Sequence, residues 1–317
     1  MGCGDQDDQG VSLDDSKENK QMSFTSRRTF LKATGAFAAA ASIGIDRLAA
    51  KERHMPIGIQ LYSVRSLFPK TGNPTPAELD GVLAQVRKAG YTAVEAAGYF
   101  GRTAPELRKS LDNAGLRAIS THHGLGQLRQ QLDELIEYAH TLGLQFMVCS
   151  SAGGQHRDPT VKSGEQSVDD WRWIADEYTK IGEKVKAAGM TFGFHNHPGE
   201  YATIDGVWIY GELMRLTDPR YVVFEMDAGW VSAAGYDPIA MLKKAPERFQ
   251  LMHVKDVAKG ADGKWHSAVL GRGKIDYAPI MAAATGLKQY FVEQEEFEMG
   301  VIDEITLEAE YMRKLKV

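Results

Sequence analysis

An α/β chain that closes into a (β/α)8 barrel is the fold class predicted by three features of the sequence. From Met55 onward, short β-rich apolar runs alternate with longer segments of helical period, the pattern of a parallel sheet covered by helices. Several helical segments stop at a glycine just before the next run, as in Lys88-Ala89-Gly90, Asn113-Ala114-Gly115 and Ala187-Ala188-Gly189. Glycine enters the left-handed conformation after a helix without a Cβ clash. Eight such units in about 260 residues match the size of a closed barrel. A doubly wound open sheet is the rival, but SVRSLFPKTGNP follows the first strand where a G-x-G-x-x-G turn would be required.

The strands follow in order. IGIQLY (57–62), YTAVEAA (91–97), LRAIST (116–121) and LQFMVC (144–149) form the first half. MTFGFH (190–195), YVVFEM (221–226), FQLMHV (249–254) and QYFVE (289–293) form the second. Between them lie amphipathic stretches such as PAELDGVLAQVRKAG (76–90) and SVDDWRWIADEYTKIGEKVKAAG (167–189). The latter aligns Trp171, Ile174, Tyr178, Ile181 and Val185 on one helical face.

The first fifty residues differ in character. Residues 1–25 are polar and acidic and read as disordered. SRRTFLK (26–32) then precedes ATGAFAAAASIGI, a paired arginine ahead of a short, mildly apolar stretch, which is the pattern of a twin-arginine export signal. That stretch is too short and too rich in alanine to span a bilayer. The expected organisation is therefore a disordered N-terminus and signal over 1–50 and one catalytic barrel over 51–317, working in the periplasm or otherwise outside the cytoplasm. Its export partner would be the twin-arginine machinery.

Composition removes other classes. The 317 residues are 43% hydrophobic and 25% charged, ordinary for a globular protein. A net charge of −5 offers no basic field for a nucleic-acid backbone, so no nucleic acid is expected as partner. Two cysteines, Cys3 and Cys149, build neither a disulfide framework nor a thiolate zinc site.

A barrel of this kind carries its chemistry at the C-terminal ends of its strands. Those ends supply Gln60, Tyr62, Glu95, Ser120, His122, His123, Ser150 and Ser151, then His195, Asn196, His197 and Glu200. The last strands add Glu225, Asp227, His253, Lys255, Asp256, Glu293 and Glu295. Asp227, His253 and Glu293 each follow an apolar run on three successive strands, so a closed barrel brings them to one side of its mouth. Two carboxylates and an imidazole suit one divalent cation, Mn, Zn, Co or Mg. Taken singly, each has a plainer use, such as a helix cap for the aspartate.

IGIQLYSVR, GYTAVEAAG, FHNHPGEY, FEMDAGW, MHVKD, LGRGKIDY and FVEQEEF together resemble the sugar phosphate isomerase/epimerase-like proteins of the xylose-isomerase-like barrel superfamily. The resemblance covers nearly all of residues 55–317. It implies one divalent metal held by a glutamate from strand five, an aspartate from six, a histidine from seven and a glutamate from eight. Asp227, His253 and Glu293 match the last three. Strand five departs, since no carboxylate follows it before Glu200. His195 is the expected replacement, because alternation points residues 193, 195 and 197 to one side. His197 then orients the site or acts as general base.

The chemistry this resemblance implies is removal of a proton next to a sugar carbonyl, with the metal as Lewis acid and His197, Glu293 or Glu95 as base. Lys255 either donates to the developing oxyanion or pairs with Asp256 or another carboxylate. The outcome is isomerisation, epimerisation or elimination on a small carbohydrate, with non-phosphorylated keto-sugars such as 3-keto-glycosides favoured by export. Tyr62, Tyr99, Phe100, Trp230 and Trp265 either stack on sugar rings or pack loops. A non-catalytic sugar-binding barrel and an apurinic-site endonuclease are the rivals. The sequence leaves oligomeric state open.

Overall fold

The computed structural model describes residues 55–161 and 165–315, so the twin-arginine segment and the expected boundary near residue 50 lie outside the described residues. Eight strands form a closed barrel. They are β1 (Gly58–Gln60), β2 (Ala93–Ala96), β3 (Arg117–Gly124) and β4 (Phe146–Ser151). β5 (Thr191–His195), β6 (Val222–Asp227), β7 (Phe249–Val254) and β8 (Gln289–Val292) complete it. Each pairs in parallel with the strand before and after it, and β8 returns to β1, with Gly58 opposite Phe291.

Every strand overlaps its predicted run, and the first and third differ most in extent. The first run gives only three strand residues, because the Gln60 side chain accepts a hydrogen bond from the Tyr62 backbone N–H at 3.0 Å and starts a 3-10 helix over Leu61–Leu67. The third run continues past its predicted end through His122 and His123.

The helices form where the sequence supplies both a start and an apolar face. Helix α1 (Pro76–Ala89) opens on a capping box in which Thr75 and Glu78 satisfy each other's backbone N–H, and closes at Gly90, whose φ is 118°. Helix α2 (Ala104–Ala114) repeats the device with Thr103 and Glu106. Helix α3 (Leu125–Leu142) follows β3, and helix α4 (Val168–Ala187) buries all five residues of its predicted face. The circuit continues with α5 (Ile209–Leu216), α6 (Ala228–Ala233) and α7 (Pro238–Lys244), and ends with α8 (Tyr277–Ala283) and α9 (Val301–Lys314).

Two apolar regions result among the described residues. The larger lies between strands and helices. The smaller, Ala93, Ile119, Phe146, Val148, Leu251 and Phe291, gathers residues from five barrel strands into one compact cluster. Strand alternation then has a direct consequence. Two residues beyond Ala93, Leu251 and Phe291 stand Glu95, His253 and Glu293, on the same side of their strands and nearer the C-terminal ends. Apolar packing thus carries a polar layer above it.

Candidate metal centre and active site

The polar layer is a connected cage. Glu225 on β6 places Oε2 at 2.7 Å from His122 Nε2 and at 3.2 Å from both His195 Nδ1 and His253 Nε2. Glu95 on β2 places its Oε2 at 2.6 Å from His253 Nε2 and 3.0 Å from His122 Nε2, and accepts the Gln60 amide at 2.8 Å. Both glutamates follow a register shift, between Val94 and Glu95 and between Phe224 and Glu225. In each case the extra residue lies on the partner strand, Ile119 on β3 and Gln250 on β7, so the glutamates keep the alternation of their own strands.

Higher in the mouth, His253 turns its Nδ1 to Glu293 Oε2 at 2.9 Å. His195, Asp227, His253 and Glu293 each offer a ligand atom, all within 4.8 Å of one another, and all four residues are buried. A second set, His122, His195, Glu225 and His253, meets the same limit. Two atoms test whether a cation fits the first set. His195 Nδ1 and Asp227 Oδ2 are buried without a hydrogen-bond partner, although Glu225 and Lys255 lie within ion-pair distance of them. Unsatisfied buried donors and acceptors are costly. Oxygen and nitrogen donors gathered around such orphaned atoms fit a divalent ion.

The electrostatics are those of a buried, mutually compensating network. Burial opposes protonation of His122, but Glu95 and Glu225 push it up to about 9. Burial and the nearby Glu95 carboxylate raise Glu225 to about 7. Burial also raises Glu95, yet His122 and His253 outweigh it and hold that carboxyl well below its usual range. His195 is driven down by burial and by its cationic neighbours, which keeps its ring neutral.

The residues singled out from the sequence separate into three positions. His197 opens on a cleft of about 640 Å³ that is also lined by His195, Glu200 and Glu293. Its ring stands 4.8 Å from that of His195, centroid to centroid. Glu95 lies on the floor with its Oε2 occupied by Gln60, His122 and His253, and is not among the cleft's lining residues.

Lys255 is completely buried, with its Nζ at 2.5 Å from Glu295, 2.9 Å from Glu293 and 3.1 Å from Asp227, and it stacks against Trp230. The ion-pair alternative therefore describes its position, with partners other than Asp256. That aspartate instead accepts backbone N–H groups from Val257, Gly271, Gly273 and Ile275, gathering the LGRGKID loop around itself. A Cβ at Gly273 would stand 2.3 Å from Asp256 Oδ1, so only glycine fits there.

Helix α6 explains the FEMDAGW motif. Asp227 caps it by accepting the Trp230 N–H at 2.9 Å through Oδ1, which leaves Oδ2 facing the cluster. A Cβ on Gly229 would meet the Lys255 carbonyl oxygen at 2.4 Å, so glycine lets the helix close on β7. Sequence reading gave His122, Glu225 and Gln60 no role in the cluster. A charged residue inside the apolar run YVVFEM, and a histidine directly after LRAIST, were the available signals.

Among the aromatics, Tyr62 lines the cleft, whereas Tyr99 stacks on Tyr138 and Phe100 packs on Phe68. Trp230 faces Lys255, and Trp265 sits beneath Lys259 and Lys274.

Fold and site together define a parallel (β/α)8 barrel with a histidine–carboxylate cluster at the C-terminal ends of its strands. The chain belongs to the xylose isomerase-like TIM barrel family, whose model matches residues 83–315. It is similar to an inosose dehydratase of Geobacillus kaustophilus, 29% identical over 231 residues that cover 64% of this chain and 74% of the relative. A sugar phosphate isomerase/epimerase of Parabacteroides distasonis superposes with a TM-score of 0.67 at 24% identity, over 85% of this chain and 97% of that one. A xylose isomerase-like barrel of Mycobacterium smegmatis in complex with magnesium superposes with a TM-score of 0.61 at 15% identity, over 83% of this chain and 97% of that one.

Proposed function

We propose that this protein is a divalent-metal-dependent lyase acting on a non-phosphorylated keto-sugar, of which a 3-keto-glycoside is the type. The observation that carries this reading is the convergence of His195, Asp227, His253 and Glu293 beside a cleft that His197 and Glu200 also line. These four residues would hold the cation. When bound, it supplies Lewis-acid polarisation of the sugar carbonyl and the neighbouring hydroxyl. Similarity to an inosose dehydratase supports elimination over isomerisation or epimerisation, which share the first step. The described cleft lining contains histidine, serine, glutamine, glutamate and tyrosine but neither lysine nor arginine, which suits a hydroxylated ligand better than a phosphorylated one.

In this reading a ring nitrogen of His197 takes the proton from the carbon next to the carbonyl. The electrons of that C–H bond form a C=C bond as the β-carbon–oxygen bond breaks, and the departing oxygen takes its proton from Glu200. Burial raises the Glu200 carboxyl to about 7, partly offset by the His197 N–H it accepts at 2.8 Å, so it holds a proton near neutrality. Lys255 holds Asp227 and Glu293 in place, while Glu95 and Glu225 fix the rings of His122 and His253. Export by the twin-arginine route, read from SRRTFLK, belongs to the same proposal.

The test is turnover in deuterated water across free ketoses and 3-keto-glycosides, with metal content measured on the same samples. Deuterium uptake next to the carbonyl with release of the aglycone supports the lyase, and uptake without release indicates an isomerase or epimerase. Asp227→Ala and His253→Ala should each lose both metal and turnover. A protein that binds sugar, holds no metal and exchanges no deuterium would be a binding barrel and would refute the reading.

A further inference from the structure

The motif IGIQLYSVR carries an aromatic ring that the chemistry above leaves unused. Tyr62 is 44% exposed, while most large apolar side chains of the barrel are buried. It lines the same cleft as His195, Glu293 and Glu295. The ring is fixed from behind. The Arg65 guanidinium carbon stands 4.0 Å from its centroid and covers one face. Arg65 is itself tied down, donating through Nη1 to the Tyr62 carbonyl at 3.0 Å and through Nη2 to the Glu295 carbonyl at 2.7 Å. The Tyr62 backbone N–H goes to Gln60, whose amide holds Glu95 on the floor of the cage. One face of the ring is therefore occupied and the other is left to the cleft. Its backbone is coupled to the residues that position the histidines.

A flat, immobilised aromatic ring with one free face takes a ring of apolar C–H groups, and it loses little conformational freedom in doing so. The cleft, at about 640 Å³, falls within the range that accommodates drug-sized ligands. We propose that Tyr62 is the stacking platform for the leaving ring of a glycoside whose keto-sugar ring lies over the His195–Asp227–His253–Glu293 cluster. This rests on the lyase reading above and adds a residue that selects the aglycone. Arg65 is the positioning residue that keeps the platform flat against the cleft wall.

The experiment compares methyl and cyclohexyl 3-keto-glucosides, whose leaving groups are both alkoxides but of which only the second carries a ring. Wild-type enzyme should show a KM for the cyclohexyl substrate lower by roughly ten-fold, the size of one good aromatic contact, with kcat similar for the two. Tyr62→Ala should erase that preference, and Tyr62→Phe should retain it. Arg65→Met should weaken it without abolishing it. A preference that survives in Y62A, or that is absent from wild type, overturns the proposal. If neither substrate turns over, the lyase reading fails by itself. Calorimetric binding of the parent cyclohexyl and methyl glucosides to metal-loaded wild type and Y62A then decides the platform on the same criterion.

Discussion

Replacing Lys255 by methionine keeps most of the side-chain volume and removes the one buried ammonium of the cluster. Its Nζ lies 2.9 Å from Glu293 and 3.1 Å from Asp227, both buried, so both carboxylates lose a counter-charge. Glu295 also pairs with it, but that side chain is 29% exposed, and its share is screened by solvent and left out. Breaking a buried pair by removing one member costs roughly 3–5 kcal/mol. At roughly 2–4 °C per kcal/mol for a domain of this size, Tm should fall by about 6–20 °C. The assay is thermal unfolding followed by circular dichroism on protein treated with chelator. Saturating divalent metal should then recover part of the loss, because a ligand at a hundred times its Kd adds about 2.7 kcal/mol. The deficit should also narrow as pH falls and the two carboxylates take up protons. A drop below about 2 °C in chelated protein would refute the claim that the lysine holds this cluster together.

Further outcomes follow from the site and from the sequence. In the pH profile of kcat, activity should decline as pH rises through about 7, where Glu200 loses its proton, and Glu200→Gln should remove that limb along with most of the rate. The sign for stability agrees. A carboxyl raised by burial contributes stability at low pH that is lost as pH rises from its ordinary value through about 7, so E200Q should be more stable relative to wild type above pH 7 than below pH 4. Gly229→Ala should cost at least the 1–3 kcal/mol typical of overpacking, since its Cβ would meet backbone and not a flexible side chain, and urea unfolding with metal analysis checks both consequences. Finally, residues 1–50 fused to a folded reporter should direct it out of the cytoplasm, and changing Arg27 and Arg28 to lysine should retain it inside, as cell fractionation would show.

The barrel was legible because its signals are local and repeated. Alternation of apolar runs with amphipathic segments, glycine at helix ends and capping pairs such as Thr75 with Glu78 all act within a few residues. The metal-ligating candidates were legible in part for the same reason. Asp227, His253 and Glu293 each end an apolar run, and closure of the barrel brings successive strand ends together. The floor of the site was not legible. Glu225 shares the inward side of β6 with Asp227 by alternation, but which strand-end groups it meets depends on the register between β6 and β7, and β3's reach to His122 depends on pairing with Val148 of β4. Both are relations between strands, which no single window of sequence contains. Lys255 was ambiguous because its partners, Asp227, Glu293 and Glu295, are distant in the chain. Only the closed sheet sets them around one nitrogen.

The seam between the first and last strands bears on how the chain is made. Gly58 pairs with Phe291, and the Gln289 side chain donates to the Pro56 carbonyl, 233 residues away. During synthesis the edge of β1 that pairs with β8 stays unpaired until β8 has left the ribosome. An exposed edge of that kind invites pairing with the wrong partner. The shortness of this strand, three residues before the helical turn begins, limits that hazard, and sealing of the cylinder becomes a late event in biogenesis.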